Sequence, residues 1–152
     1  MSFQLNQFRI TNQVGEVMNP NVATLEFRLS STYSVAAKAG DVVKFAPTEV
    51  GDLPVVTPIL EGDAGIAVVL FNAKKATYAA LDVTEFGAAG SIVTMPAAGA
   101  LNRGQLVSFN QSSKQVQATA STNNYLGYTY YIASNAGDIV RVHITPKLNN
   151  QN

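Results

Sequence analysis

A chain of 152 residues with no cysteine and a single histidine has the length of one domain and must hold its fold by apolar burial and backbone hydrogen bonds, without disulfides or thiolate-bound metal. Ten basic residues balance ten acidic ones and the only adjacent basic pair is Lys74-Lys75, so the basic stripe that nucleic-acid binding requires is missing. Only 13% of residues are charged, about half the usual share, which points to a surface that neighbouring subunits cover, because interface cores are depleted of charge.

Residues 1–20 set four large apolar side chains, Phe3, Leu5, Phe8 and Ile10, among Gln, Asn and Arg. Their spacing in twos is broken at Asn6-Gln7, and a bulge there returns all four to one face of an extended strand. Two readings stay open: the first strand of the domain, or an arm that adds to a partner, gaining affinity from main-chain hydrogen bonds and specificity from alternate side chains. The arm reading divides the chain into an N-terminal arm (1–20), a β-rich domain (21–146) and a disordered tail rich in Asn and Gln (147–152). It also implies that removing residues 1–20 leaves a folded domain. The start lacks the basic and continuous apolar regions of a secretory signal, and the longest apolar run, 64–71, is far short of the ~20 residues of a membrane helix, so neither is expected.

Beyond the Asn19-Pro20 turn signal the periodicity is that of strands. Leu25, Phe27 and Leu29 alternate with Thr24, Glu26 and Arg28, the pattern of a strand covered on one face. Strands follow at 41–45 and 66–71, the latter apolar on both faces and hence central. Pro54 and Pro58 demote 55–60 to an edge strand or extended loop, since proline cannot donate to a ladder. Residues 74–81 are open between a short helix and a strand, with Thr77 and Tyr78 favouring the strand. Gly87-Ala88-Ala89-Gly90 turns into a strand at 91–95. The segments 105–109 and 115–119 form a hairpin about a polar turn at 110–114. The strands 125–132 and 138–144 close the chain, with Leu126, Tyr128 and Tyr130 expected on one face.

A Gly-polar-apolar-Val pattern recurs at Gly40-Asp41-Val42-Val43, Gly104-Gln105-Leu106-Val107 and Gly137-Asp138-Ile139-Val140. It suggests a weak duplication of a strand-turn-strand unit, too irregular for a solenoid, within an all-β, small barrel or sandwich-like fold.

No catalytic group is assigned. His143 alternates with Val142 and Ile144 and reads as a half-exposed strand residue, and one histidine without cysteine cannot build a His-centred metal site. Glu61-Gly62-Asp63 lacks the further ligands of a calcium loop. Gly87-Ala88-Ala89-Gly90 lacks the Lys-Ser/Thr of a phosphate loop. No cofactor and no metal are expected.

The run Gly65-Ile66-Ala67-Val68-Val69-Leu70-Phe71-Asn72-Ala73-Lys74-Lys75, then Gly90-Ser91-Ile92-Val93-Thr94-Met95, Leu101-Asn102-Arg103-Gly104-Gln105-Leu106-Val107 and Gly137-Asp138-Ile139-Val140-Arg141-Val142, resembles the capsid cement or head decoration proteins of tailed phages over about residues 38–145. Ala73 stands where the family turn has Pro, and Ala79-Ala80-Leu81-Asp82 replaces a Gly-Asp. The resemblance implies a non-enzymatic β-rich virion protein, often trimeric, on the outer capsid surface. Its partners would be the major capsid protein and further copies of itself, with neither nucleic acid nor membrane, and it would be made in the host bacterial cytoplasm. On this reading Phe3, Leu5, Phe8, Ile10, Leu25, Phe27 and Leu29 are the candidate capsid or subunit contacts. The alternative is a receptor- or glycan-binding head-fibre or other ligand-binding module that uses Tyr125, Tyr128, Tyr130 and Tyr131.

Overall fold

The computed structural model describes residues 13–19, 22–33, 36–60, 65–120, 124–130 and 132–147. Among them are twelve strands and no helix, in keeping with the all-β expectation. Five strands close a barrel in the order β1 (Leu25–Leu29), β4 (Val55–Pro58), β3 (Val42–Phe45), β5 (Ala67–Val69) and β7 (Val83–Gly87). Closure rests on β1, which pairs antiparallel with β7 and parallel with β4. Phe27, Leu29, Val43, Val56, Val69 and Phe86 fill the interior, with the Phe27 and Phe86 ring centroids 5.1 Å apart.

The central position expected for the 66–71 run has a clear cause. In β3 and β5, Val43, Ala67 and Val69 belong to the barrel core while Val42 and Val68 belong to a second core under the other sheet. Both faces are covered, so both must be apolar. The edge assignment of 55–60 is corrected. β4 pairs on both sides, Arg28↔Val55 with β1 and Lys44↔Thr57 with β3. Its two prolines bracket the strand, so their missing donors fall at its ends, and the Pro54 carbonyl still accepts the Arg28 N–H at 3.0 Å.

The second sheet runs β10 (Gln115–Ala118), β9 (Leu106–Asn110), β11 (Tyr125–Thr129), β12 (Ile139–Lys147) and β8 (Ile92–Pro96). Val93, Met95, Val107, Phe109, Val116, Leu126, Val140, Val142 and Ile144 pack its inner face on Val42, Val68 and Leu70 of the barrel side. The β9–β10 hairpin forms as its sequence requires. β12 includes Lys147, paired with Tyr125, one residue beyond the expected domain end. Residues 74–81 contain no helix: β6 (Thr77–Tyr78) pairs with β2 (Ala37–Lys38).

The free edge of β8 is occupied by residues 13–19. Gly15 N–H donates to the Thr94 carbonyl at 2.8 Å, Thr94 N–H to Glu16 at 3.0 Å and Met18 N–H to Ile92 at 2.8 Å, and Val17 bridges Val93. The Asn19 side chain accepts the Ile92 N–H at 2.8 Å and donates to the Gly90 carbonyl at 2.9 Å. The end of the segment read as an arm is therefore a strand-like part of the sheet. Phe3, Leu5, Phe8, Ile10 and the Asn6-Gln7 bulge lie outside the described residues.

The recurrent glycine pattern is a turn device. In Lys38-Ala39-Gly40-Asp41, Ala79-Ala80-Leu81-Asp82, Asn102-Arg103-Gly104-Gln105 and Asn135-Ala136-Gly137-Asp138, the third residue is left-handed, at φ 92°, 70°, 76° and 91° in turn. The fourth residue's side-chain oxygen accepts the first residue's N–H, at 3.1, 2.8, 3.0 and 3.0 Å. These turns deliver β3, β7, β9 and β12. A side-chain oxygen there satisfies a main-chain donor that no ladder reaches.

Candidate functional site

The outer face of the second sheet carries a row of side chains fixed by strand register: Leu106 opposite Tyr128, Tyr128 opposite His143, His143 opposite Ile92. His143 Nδ1 lies 2.6 Å from Tyr128 Oη, and the ring centroids of Tyr128, Tyr130 and His143 lie 5.1 to 5.8 Å apart. Val142 and Ile144 face the core, as strand alternation demands. Hydrogen bonding with Tyr130, followed by partial burial, raises the Tyr128 phenol above its ordinary value.

The expectation that Leu126 shares a face with Tyr128 and Tyr130 is corrected. Leu126 is fully buried in the core, because the β11–β12 register shifts between Tyr125 and Gly127 and breaks the alternation. The shift presses Gly127 onto its neighbour so closely that a Cβ there would meet the His143 carbonyl. Tyr131 lies outside the described residues. Among the described residues no group of His, Asp and Glu side chains suits a metal ion.

Of the three candidate contacts on β1, only Leu25 reaches the surface, at 44% exposure. Phe27 and Leu29 point into the barrel, where their apolar character serves the core and leaves nothing for a partner. The structure adds exposed apolar side chains that no sequence pattern marked: Phe45, packed edge-on against Phe27 at 5.9 Å, and Val50, Leu60, Leu81 and Ile132.

A cleft of about 520 Å³ separates the barrel from the β9–β10 turn, and Tyr33, Asp41, Gln111 and Lys114 are among its lining residues. Asp41 and Tyr33 are only 5% and 8% exposed. Tyr33 Oη, Asp41 Oδ1 and Gln111 Oε1 are buried without a hydrogen-bond partner among the described residues. Asp41 Oδ2 is held by the turn through the Lys38 N–H, and Lys114 Nζ approaches Oδ1 to 3.7 Å. Burial pushes the Asp41 carboxyl up against these favourable contacts, and burial and then the Asp41 charge push the Tyr33 phenol up. Sequence reading missed this site because its members are scattered from Tyr33 to Lys114 without a motif.

The model of the phage cement protein family matches residues 27–144, a span that takes in all of the two large sheets but the start of β1 and the end of β12. Among solved structures, the head fiber gp8.5 N base in bacteriophage phi29 is similar at a TM-score of 0.57 and 15% identity, over 84% of this chain and 98% of that one. At such identity the likeness is one of fold. No curated protein matches the sequence.

Proposed function

The chain belongs to the phage cement protein family, as a capsid-binding structural protein of the virion, and from that premise we propose that it sits on the outer surface of the head between major capsid protein subunits and stabilises the shell. The observation that carries the proposal is the addition of residues 13–19 to β8. It shows that this edge of the domain takes up an added strand, and strand addition is the mode by which Phe3, Leu5, Phe8 and Ile10 would engage the shell or a neighbouring copy. Leu25 is the further contact on β1.

On this reading the protein acts by covering and bridging, without turnover, and the copies associate as homotrimers. Each site needs only an interface of ~1,600 Å², since attachment at several points makes the later contacts effectively intramolecular. The low charge of the chain suits a surface closed off by neighbours. Synthesis in the host cytoplasm accords with a chain free of cysteine.

The test is to mix the purified protein with undecorated heads and image them by cryo-microscopy. Added density on the outer surface between capsomers is expected. Heads that remain bare at saturating protein would overturn the proposal.

A further inference from the structure

We propose that the cleft between the barrel and the β9–β10 turn binds a polyhydroxylated ligand, a saccharide ring. Tyr33, Asp41 and Gln111 line it, and their Oη, Oδ1 and Oε1 atoms are buried without a hydrogen-bond partner among the described residues, whereas buried polar groups are as a rule satisfied by something. Two are acceptors only, while the phenol both donates and accepts. The Lys114 ammonium, 3.7 Å from Asp41 Oδ1, adds donors and cancels the carboxylate charge.

A neutral site of this kind does not select a charged side chain, and Lys114 repels a guanidinium. It selects groups that donate and accept at once. A hydroxyl donates to Asp41 Oδ1 or Gln111 Oε1 while accepting from Lys114 Nζ or the Tyr33 O–H, and such chained hydrogen bonds reinforce one another in a dry setting. The remaining wall includes Ala36, Pro58, Ile59 and Leu60, an apolar surface for the C–H face of a sugar ring. The volume, about 520 Å³, lies within the usual range of small-ligand sites. Lys114 is itself held in the left-handed region, at φ 60°, by the turn in which its N–H donates to the Asn110 carbonyl at 2.8 Å. Its stem is therefore set by the hairpin. The inference stands apart from capsid binding and does not depend on it.

The experiment titrates the methyl glycosides of glucose, galactose and N-acetylglucosamine into the isotope-labelled full chain, read by amide NMR. At least one should give saturable shifts at Tyr33, Asp41 and Gln111 while Tyr128 and Tyr130 stay still. Asp41→Asn and Tyr33→Phe should each weaken binding about tenfold or more, the scale of one lost hydrogen bond to a charged or buried group. Gln111→Leu, on the hairpin turn, provides the same test should a buried substitution disturb folding. Absence of saturable shifts with all three glycosides would overturn the proposal. So would saturation by N-acetyl-arginine methylamide alone, or shifts confined to the Tyr128–Tyr130 face.

Discussion

The Gly15 carbonyl accepts the Phe71 N–H at 2.9 Å while the Gly15 N–H donates to the Thr94 carbonyl at 2.8 Å, so a single residue ties the chain leaving β5 to the edge of β8 and joins the two sheets. Gly15 is left-handed at φ 84°, and a Cβ there would lie 2.9 Å from both the Phe71 nitrogen and the Ala39 Cβ. Gly15→Ala should therefore cost more than the roughly 1–2 kcal/mol of a left-handed L-residue, because a backbone atom must also give way. Gly137→Ala, also left-handed but with open space around it, should cost only the conformational part. Urea melts of the two variants check this. Equal losses would show that Gly15 is an ordinary turn glycine.

Leu81 holds the left-handed position that Gly fills in the three sister turns. Its carbonyl accepts Arg28 Nη1 at 2.7 Å, and its side chain is 55% exposed, so little packing compensates the backbone strain. Leu81→Gly removes a penalty of about 1–2 kcal/mol against the ~0.5–1 kcal/mol that glycine's extra chain entropy costs. Stability should stay level or rise by up to about 1.5 kcal/mol, seen as a higher melting temperature. A clear loss would mean that the Leu81 side chain packs more strongly than its exposure implies.

Asp41 and Asp82 occupy the same place in two sister turns and should respond oppositely to pH. Burial raises the Asp41 carboxyl above the ordinary value of 3.8, so folding favours its protonated form. Its contribution is full below the unfolded pKa and is lost as pH rises through the raised folded one. Asp82 is held below its ordinary value first by the Ala79 N–H and then by Lys75, so its contribution is present above the unfolded pKa and lost as pH falls through the folded one. Relative to the native chain, Asp41→Asn should gain stability from about pH 3.8 towards neutrality, whereas the deficit of Asp82→Asn should shrink in acid. Denaturation across that pH series measures both differences, and slopes of the same sign would refute the assignment.

Legibility followed locality. The Leu25–Leu29 alternation, the 105–119 hairpin and the doubly apolar 66–71 run were readable because neighbouring residues alone dictate them. Barrel closure was not, since the parallel pairing of β1 with β4, Arg28 with Val55, joins segments distant in the chain and leaves no periodic trace. Pro54 and Pro58 misled because the rule against proline concerns the middle of a ladder, while here they stand at its ends. Phe27 and Leu29 show the limit of pattern: alternation told which face was covered, but not that the cover is the barrel's own interior. The Gly-Asp pattern was visible, yet its cause, a carboxylate folding back on a main-chain donor, appears only once Asp82 joins the set beside a leucine.

The division of the N-terminal chain yields the sharpest test of the capsid proposal. Residues 13–19 supply three main-chain hydrogen bonds to β8 and place Val17 against the second core, so removing residues 1–20 is not the neutral truncation that an arm of that length implies. Deletion of 1–19 should cost roughly 2–4 kcal/mol at about 1 kcal/mol per hydrogen bond plus lost apolar burial, and should promote association through the opened β8 edge. Deletion of 1–12 leaves every one of those bonds in place and should melt like the full chain, while its occupancy on heads falls. Thermal melts and sedimentation read the first effect and cryo-microscopy of mixed heads reads the second. Full occupancy by the chain lacking 1–12 would remove Phe3, Leu5, Phe8 and Ile10 from the contact set, and an unchanged melt after deletion of 1–19 would show that the added strand contributes nothing to the fold.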